Sequence, residues 1–235
     1  MSIVVAVLDE PPFCWFDADG GVHGCDVEVA QIVLRAAGFA DVRFQLAQFE
    51  ELIPGVLADR WQLNTGMFVT DERRAVVRFT RPIWSVPDGL VVRAEDVGRF
   101  QSYLDLAVDG GARLAVVVGQ VQGDSARAAG LPHQRMVQVP TQNEAVRAVL
   151  DKVADAAAST AIGNRALVQR MADPRLAAVE LTTTTGVAAP AGAFSMHPAN
   201  AALAEVLDAQ LAVLLGSARH QEIRQRYGFG PSSAL

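Results

Sequence analysis

The stretch GMFVTDERRAVVRFTRP, Gly66 to Pro82, carries a strand end, a helical turn and an exit in one short run. The apolar pattern of Leu63–Val69 predicts a strand, and Asp71–Val76 a helical turn. Asp71 and Glu72 suit a helix N-terminus, where negative charge meets the free backbone N–H groups. Arg73 follows at once, and Phe68 sits just before the turn. A permanent cation beside a large aromatic at a strand end describes either a ligand pocket or a solvated helix start.

The same strand-then-helix unit recurs on both sides. Before it, Ile3–Leu8 reads as a buried strand, Asp26–Ala37 as a helix stopped by Gly38, Val42–Leu46 as a strand and Glu50–Ala58 as a short helix. After it come strands at Gly89–Arg93, Arg113–Val118, Met136–Val139, Ala154–Ala158 and Ala177–Leu181. Helices at Ser102–Val108, Asp124–Ala129, Asn143–Val149 and Gly163–Met171 separate them. TTTTGVAAPAG reads as a loop, Gly192–Met196 as a strand, and Asn200–Leu215 and Ser217–Tyr227 as helices. Alternation of this kind predicts an α/β fold of open, mostly parallel sheets covered by helices. Two cycles separated by the strands at 89–93 and 192–196 predict two lobes, 1–91 plus 191–235 and 92–190. Ligands of such sheets bind outside the carboxyl ends of the strands, so the expected site is a cleft between the lobes.

Composition agrees with a large globular core. Of 235 residues, 51% are hydrophobic and 20% charged, and the formal net charge is −6. Basic residues form no stripe with interleaved aromatics, so nucleic acid is not an expected partner. No segment is long and apolar enough to span a bilayer. The N-terminal MSIVVAVLDEPPF enters a strand directly, with no leader pattern. That leaves a cytoplasmic protein, or a periplasmic or extracellular one whose leader is absent from this chain. Cys14 and Cys25 flank a hairpin signal at DADGG. A register pairing Trp15 with Gly24 would set the two cysteines opposite each other, as a disulfide or as two buried thiols. The cysteines and histidines show no metal-ligand spacing, and no cofactor is expected.

EPPF (10–13), GCDVEVA (24–30), FEELIPGVLADR (49–60), the opening stretch and RQRYGFG (224–230) resemble the family 3 solute-binding proteins of ABC transporters. The likeness covers nearly the whole chain in order. Its most specific piece is T-x-E-R-x-x-x-V-x-F-T-x-P, Thr70 to Pro82. E-x-P-F, LIPG, G-M-aromatic-x-T and VVVGQVQGDSARAAGLP are similar to the ectoine and hydroxyectoine binders within that family. The resemblance implies a type II periplasmic-binding-protein architecture: two Rossmann-like lobes, joined by two hinge strands, that close over one small molecule. It also implies a monomer with an ABC permease as membrane partner, and no catalysis.

The resemblance assigns roles residue by residue. Arg73 takes the carboxylate-binding position, where a guanidinium fork matches a carboxylate. Phe68, beside Gly66 in G-M-aromatic-x-T, replaces a hydroxyl residue and offers a face for stacking or cation–π attraction. Phe13 and Phe49 take two further pocket positions, and Glu10 an acceptor for a cationic N–H. In the second lobe the Gly119-Gln120-Val121 turn offers backbone donors at a helix start, at Gly119 and Val121. Thr160 stands where amino-acid binders carry an aspartate for the α-ammonium group. The expected ligand is therefore a small zwitterion with delocalised positive charge, such as ectoine. An amino-acid binder, an orphan or sensor domain, and a cyclohexadienyl-dehydratase-like enzyme with Asp124 as its acid are the alternatives. Gln62 and Asn64 depart from the family's apolar strand, and Trp61 replaces an aspartate common there; as buried amides, Gln62 and Asn64 need partners.

Overall fold

The computed structural model describes residues 1–182 and 189–230, and the chain divides into two compact units. The first comprises Met1–Ser85 and Pro190–Leu235, the second Val86–Ala189. Most of the loop read at TTTTGVAAPAG lies outside the described residues.

The first unit begins with β1 (Ser2–Val7), the two-residue hairpin arms β2 (Trp15–Phe16) and β3 (Val22–His23), and α1 (Cys25–Ala36). It continues through β4 (Asp41–Leu46), α2 (Leu52–Leu57), β5 (Leu63–Phe68), α3 (Asp71–Arg74), β6 (Arg78–Phe79) and β7 (Trp84–Ser85). The second unit holds β8 (Asp88–Arg93), α4 (Tyr103–Val108), β9 (Leu114–Val117), α5 (Val121–Ala128), β10 (Met136–Val139), α6 (Gln142–Leu150), β11 (Ala156–Thr160), α7 (Ala161–Met171) and β12 (Leu176–Glu180). The chain then returns to the first unit as β13 (Ala191–Met196), α8 (Ala201–Leu214) and α9 (Ala218–Arg226).

The first sheet has the order β4-β1-β5-β13-β6, with β7 also paired to β13. Its strands β4, β1 and β5 are parallel, and β13 runs antiparallel to its neighbours. The second sheet has the order β10-β9-β11-β8-β12; β9 is parallel to both its neighbours and β8 antiparallel to both of its own. The strands expected at the crossings are thus interior members of the two sheets. The first boundary falls at Ser85/Val86 rather than at 91, because β8 pairs along its whole length with β11 and β12.

Period-two packing explains the continuous apolar runs of the second unit. Leu90, Val92, Leu114, Val116, Ala156 and Ala158 face one way, onto Phe100, Leu106, Ala126 and Leu131. Val91, Ala115 and Ala157 face the other way, onto Val146, Val149 and Leu167. In the first unit, α1 buries Val29, Ala30, Val33 and Leu34 at helical spacing.

Gln62, just before β5, and Asn64 on it find partners. Buried Trp61 donates its Nε1–H to Asn64 Oδ1 at 2.6 Å, and Asn64 Nδ2 donates to Ser195 Oγ on β13 at 3.0 Å. The Gln62 side-chain oxygen accepts the Val4 N–H at 3.0 Å. These amides tie strands together within the unit. Val76 is exposed and Val77 is buried. The turn of α3 ends after Arg74.

Candidate functional site

An acid at the start of α1 organises the first unit's candidate site. Asp26 is fully buried, and its hydrogen-bond partners among the described residues are all uncharged. Its Oδ2 accepts the Gly66 backbone N–H at 2.9 Å, and its Oδ1 accepts Trp84 Nε1–H at 3.0 Å and the Cys25 thiol at 3.3 Å. Burial outweighs these bonds and pushes the Asp26 carboxyl up to about 6. Gly66 has to be glycine here: a Cβ would lie 2.7 Å from Asp26 Oδ2 and 2.8 Å from Trp84 Nε1. Trp84 also lies flat over Gly192, where a Cβ would come within 2.1 Å of its ring.

Trp84 gathers the phenylalanines. Its ring centroid is 4.9 Å from that of Phe13, tilted by 44°, and 5.3 Å from that of Phe68, edge-on at 85°. Phe229 meets Phe13 edge-on at 5.9 Å. These are the offset and edge geometries that aromatic quadrupoles favour. Phe13 is set by a tight loop after β1, in which the Glu10 carbonyl accepts the N–H groups of Phe13 and Cys14. Glu10 itself is half-buried.

Arg73 is bonded to the backbone of Phe68. Thr70 caps α3 by accepting the Arg73 N–H at 3.2 Å. The guanidinium donates from Nη1 to the Phe68 carbonyl at 2.6 Å and stands over the Phe49 ring at 5.2 Å. It is 9% exposed, whereas Arg74, Arg78 and Arg81 are exposed. A nearly buried arginine oriented by a carbonyl and a ring face keeps its charge and its planar fork of N–H donors. The first unit therefore links Phe13, Phe49, Gly66, Phe68 and Arg73 through Trp84, Asp26 and the Arg73 guanidinium, and Glu10 joins them through its backbone carbonyl.

Gly119, Val121 and Thr160 belong to the second unit. Gly119 adopts φ 80°, the left-handed turn before α5, and the Gln120 N–H closes it onto Val117 O at 3.1 Å. Val121 opens α5, beside a cavity of about 170 Å³ lined by Gly119, Gln120, Asp124 and Arg127. Thr160 ends β11 and caps α7 by accepting the Gly163 N–H at 3.1 Å. It pairs across the sheet with Asp88, whose carboxylate accepts Gln122 Nε2–H and Tyr103 O–H, each at 2.8 Å. Burial raises the Asp88 carboxyl above the ordinary range, and burial also raises the Tyr103 phenol. Asp124 is exposed and ion-paired with Arg127, a surface arrangement that leaves it poorly fitted to act as a buried acid.

The hairpin register is Trp15 with His23, not Gly24, so Cys14 and Cys25 are not a facing pair; both are buried free thiols. Burial pushes both thiols far above their usual range. Among the described residues no group of His, Cys, Asp and Glu could hold a metal ion.

Comparison with known proteins follows the same lines. The model of the bacterial extracellular solute-binding proteins, family 3, matches residues 3–231. The chain belongs to this family. A probable amino-acid ABC transporter periplasmic-binding protein of Sinorhizobium fredii is 27% identical, over 98% of this chain and 78% of that protein. Among solved structures, EhuB in complex with hydroxyectoine is 27% identical with a TM-score of 0.87, covering 97% of this chain and 88% of that one. The arginine-bound form of truncated ArgBP from T. maritima is 25% identical with a TM-score of 0.79, covering 91% and 96%. The α/β fold of this family member is that of the type II periplasmic binding proteins.

Sequence reasoning overlooked two members of the cluster, Asp26 and Trp84. Asp26 was legible only as a first-turn acid of α1. Trp84 lies 58 residues from Asp26 along the chain, and no local pattern announces their bond.

Proposed function

We propose that this protein is the substrate-binding component of an ABC importer and takes a small zwitterion of the ectoine type. The observation that carries the reading is Arg73, held by the Phe68 carbonyl and the Phe49 ring beside the Phe13–Trp84–Phe68 cluster. Arg73 would bind the carboxylate, the aromatic faces would take a delocalised cation, and Glu10 would accept a ring N–H. On the second unit, the N–H groups at the Gly119 turn and Val121 are the proposed anion contacts, and Thr160 supplies no charge for an α-ammonium group. Hinge closure is the proposed mechanism. A permease partner and a periplasmic or extracellular location belong to the same reading, in a protein that binds and releases without catalysis.

The likeness to an arginine-bound protein and to a probable amino-acid transporter component favours a second reading, an amino-acid binder. Isothermal titration calorimetry with ectoine, hydroxyectoine, arginine and glutamine separates the two. Binding confined to the ectoines supports the first reading. Binding of arginine or glutamine alone replaces it with the second.

A further inference from the structure

Asp26 and Trp84 form a relay behind the proposed ligand face. Each Asp26 oxygen accepts a hydrogen bond from a different strand, Gly66 on β5 and the Trp84 indole on β7. Gly66 is two residues from Phe68 on the same strand, and the indole carries both Phe13 and Phe68 on its ring. Trp84 cannot retreat, because it rests on Gly192 and Gly66 at distances that admit no Cβ. The tilt of the indole is therefore set by the one polar bond it makes through Nε1, and the two phenylalanines lean on that tilt.

We propose that Asp26 is a positioning residue for ligand binding, acting through Trp84 to fix the angles of Phe13 and Phe68. It touches no ligand. The role rests on the reading of this aromatic face as the binding face, but the relay itself does not depend on which ligand binds. The carboxylate is a strong acceptor for both N–H groups; gaining a proton weakens one of its oxygens as an acceptor and loosens the indole. Its titration, raised by burial, falls in an accessible window. Among the described residues the titratable and charged groups around it include Cys25 on its own helix, Asp9, Glu10 and Cys14 from the loop after β1, and His220 and Arg224 from α9, the last two lining a small cavity together with Asp26 and Trp84.

The test is a pH titration from about 4.5 to 8 of ligand-free protein labelled in its phenylalanine rings, followed by NMR. The ring signals of Phe13 and Phe68 are expected to shift together with one midpoint near that of Asp26, and to stay flat in Asp26→Asn. Trp84→Phe, which keeps a ring but removes the N–H donor, is expected to flatten them too, and decides the matter if Asp26→Asn does not fold. Signals that are flat in the wild type overturn the proposal. So does a shift that persists in either variant, which would assign it to another neighbouring group such as His220 or Glu10. Hydroxyectoine and arginine then serve as probes: whichever binds the wild type should bind Trp84→Phe at least tenfold more weakly, and unchanged affinity overturns the positioning role. If neither probe binds the wild type, the functional reading falls, while the ring signals still decide the relay.

Discussion

Arg73 is the residue on which the chemistry turns. Its guanidinium is already oriented by a carbonyl and a ring, so little side-chain entropy is lost when an anion arrives. Lysine would keep the charge but lose the fork geometry. Arg73→Lys is expected to weaken binding of a carboxylate ligand by about 1–3 kcal/mol, the worth of a charge-assisted hydrogen bond, and Arg73→Ala to abolish it on calorimetry. Retained affinity in Arg73→Ala would give the carboxylate to another residue. Asp26 yields a stability prediction of definite sign. Its folded value, about 6, lies above the ordinary 3.8 of the unfolded chain. The folded state thus holds the proton more tightly, and this contribution is fully present below about pH 4 and lost as pH rises through 6. Surface acids held low by arginines and other hydrogen-bond donors, Asp173 and Asp41 among them, slope the other way. The clean measurement is the difference between wild type and Asp26→Asn in urea unfolding at pH 4, 5, 6 and 7. The wild type should lose stability relative to the variant across that range, by a few kcal/mol at most. A flat difference would mean that Asp26 is not desolvated in the folded protein.

At the scale of elements, what was legible and what was not divide by distance along the chain. Met136–Val139 is a strand with the limits its β-branched alternation predicts, and α1 and α8 fall within a residue or so of their apolar spacing. These patterns are local, so a sequence window contains all the physics that decides them. The two-residue strands β6 and β7 have no such window; they exist because β13 returns to pair with them. The hairpin register escaped for a related reason. Cys25 is taken into α1, whose first N–H groups bond back to the loop carbonyls of Pro12 and Phe13, and that anchors the arm by one residue differently. Family likeness names Arg73, Phe68, Phe13 and Phe49 as pocket positions, but it does not name the group that joins Phe13 to Phe68, since Trp84 reaches them only through tertiary packing. The packing of β13 against that indole is testable. Gly192→Ala sets a Cβ against the Trp84 ring at 2.1 Å, and the neighbour is a rigid indole fixed on its far edge by Asp26. The variant is expected to lose about 1–3 kcal/mol, the usual cost of overpacking, measured by chemical denaturation. It should also change the tryptophan emission. Unchanged stability and emission would show that the indole has room to move.

For the whole molecule, binding and stability are linked by mass action. A ligand that binds only the native state stabilises it by about 2.7 kcal/mol at 100 times its dissociation constant. In a chain of this length each kcal/mol raises the melting temperature by about 2–4 °C, so the correct ligand should shift it by roughly 5–10 °C. Hydroxyectoine is expected to do so in the wild type and to fail in Arg73→Ala, because the carboxylate anchor is lost. Phe68→Ser should give an intermediate shift, since one face of about 0.5–2 kcal/mol is removed while the anchor remains. This ordering discriminates between the two readings better than any single affinity. An amino-acid ligand held by Arg73 would also fail in Arg73→Ala. Its localised ammonium group, however, would gain from a hydroxyl in place of a ring, and Phe68→Ser would then preserve or enlarge the shift. The sign of the Phe68→Ser effect, read for hydroxyectoine and arginine side by side, therefore reports whether the aromatic cluster receives a delocalised cation or merely packs behind the arginine.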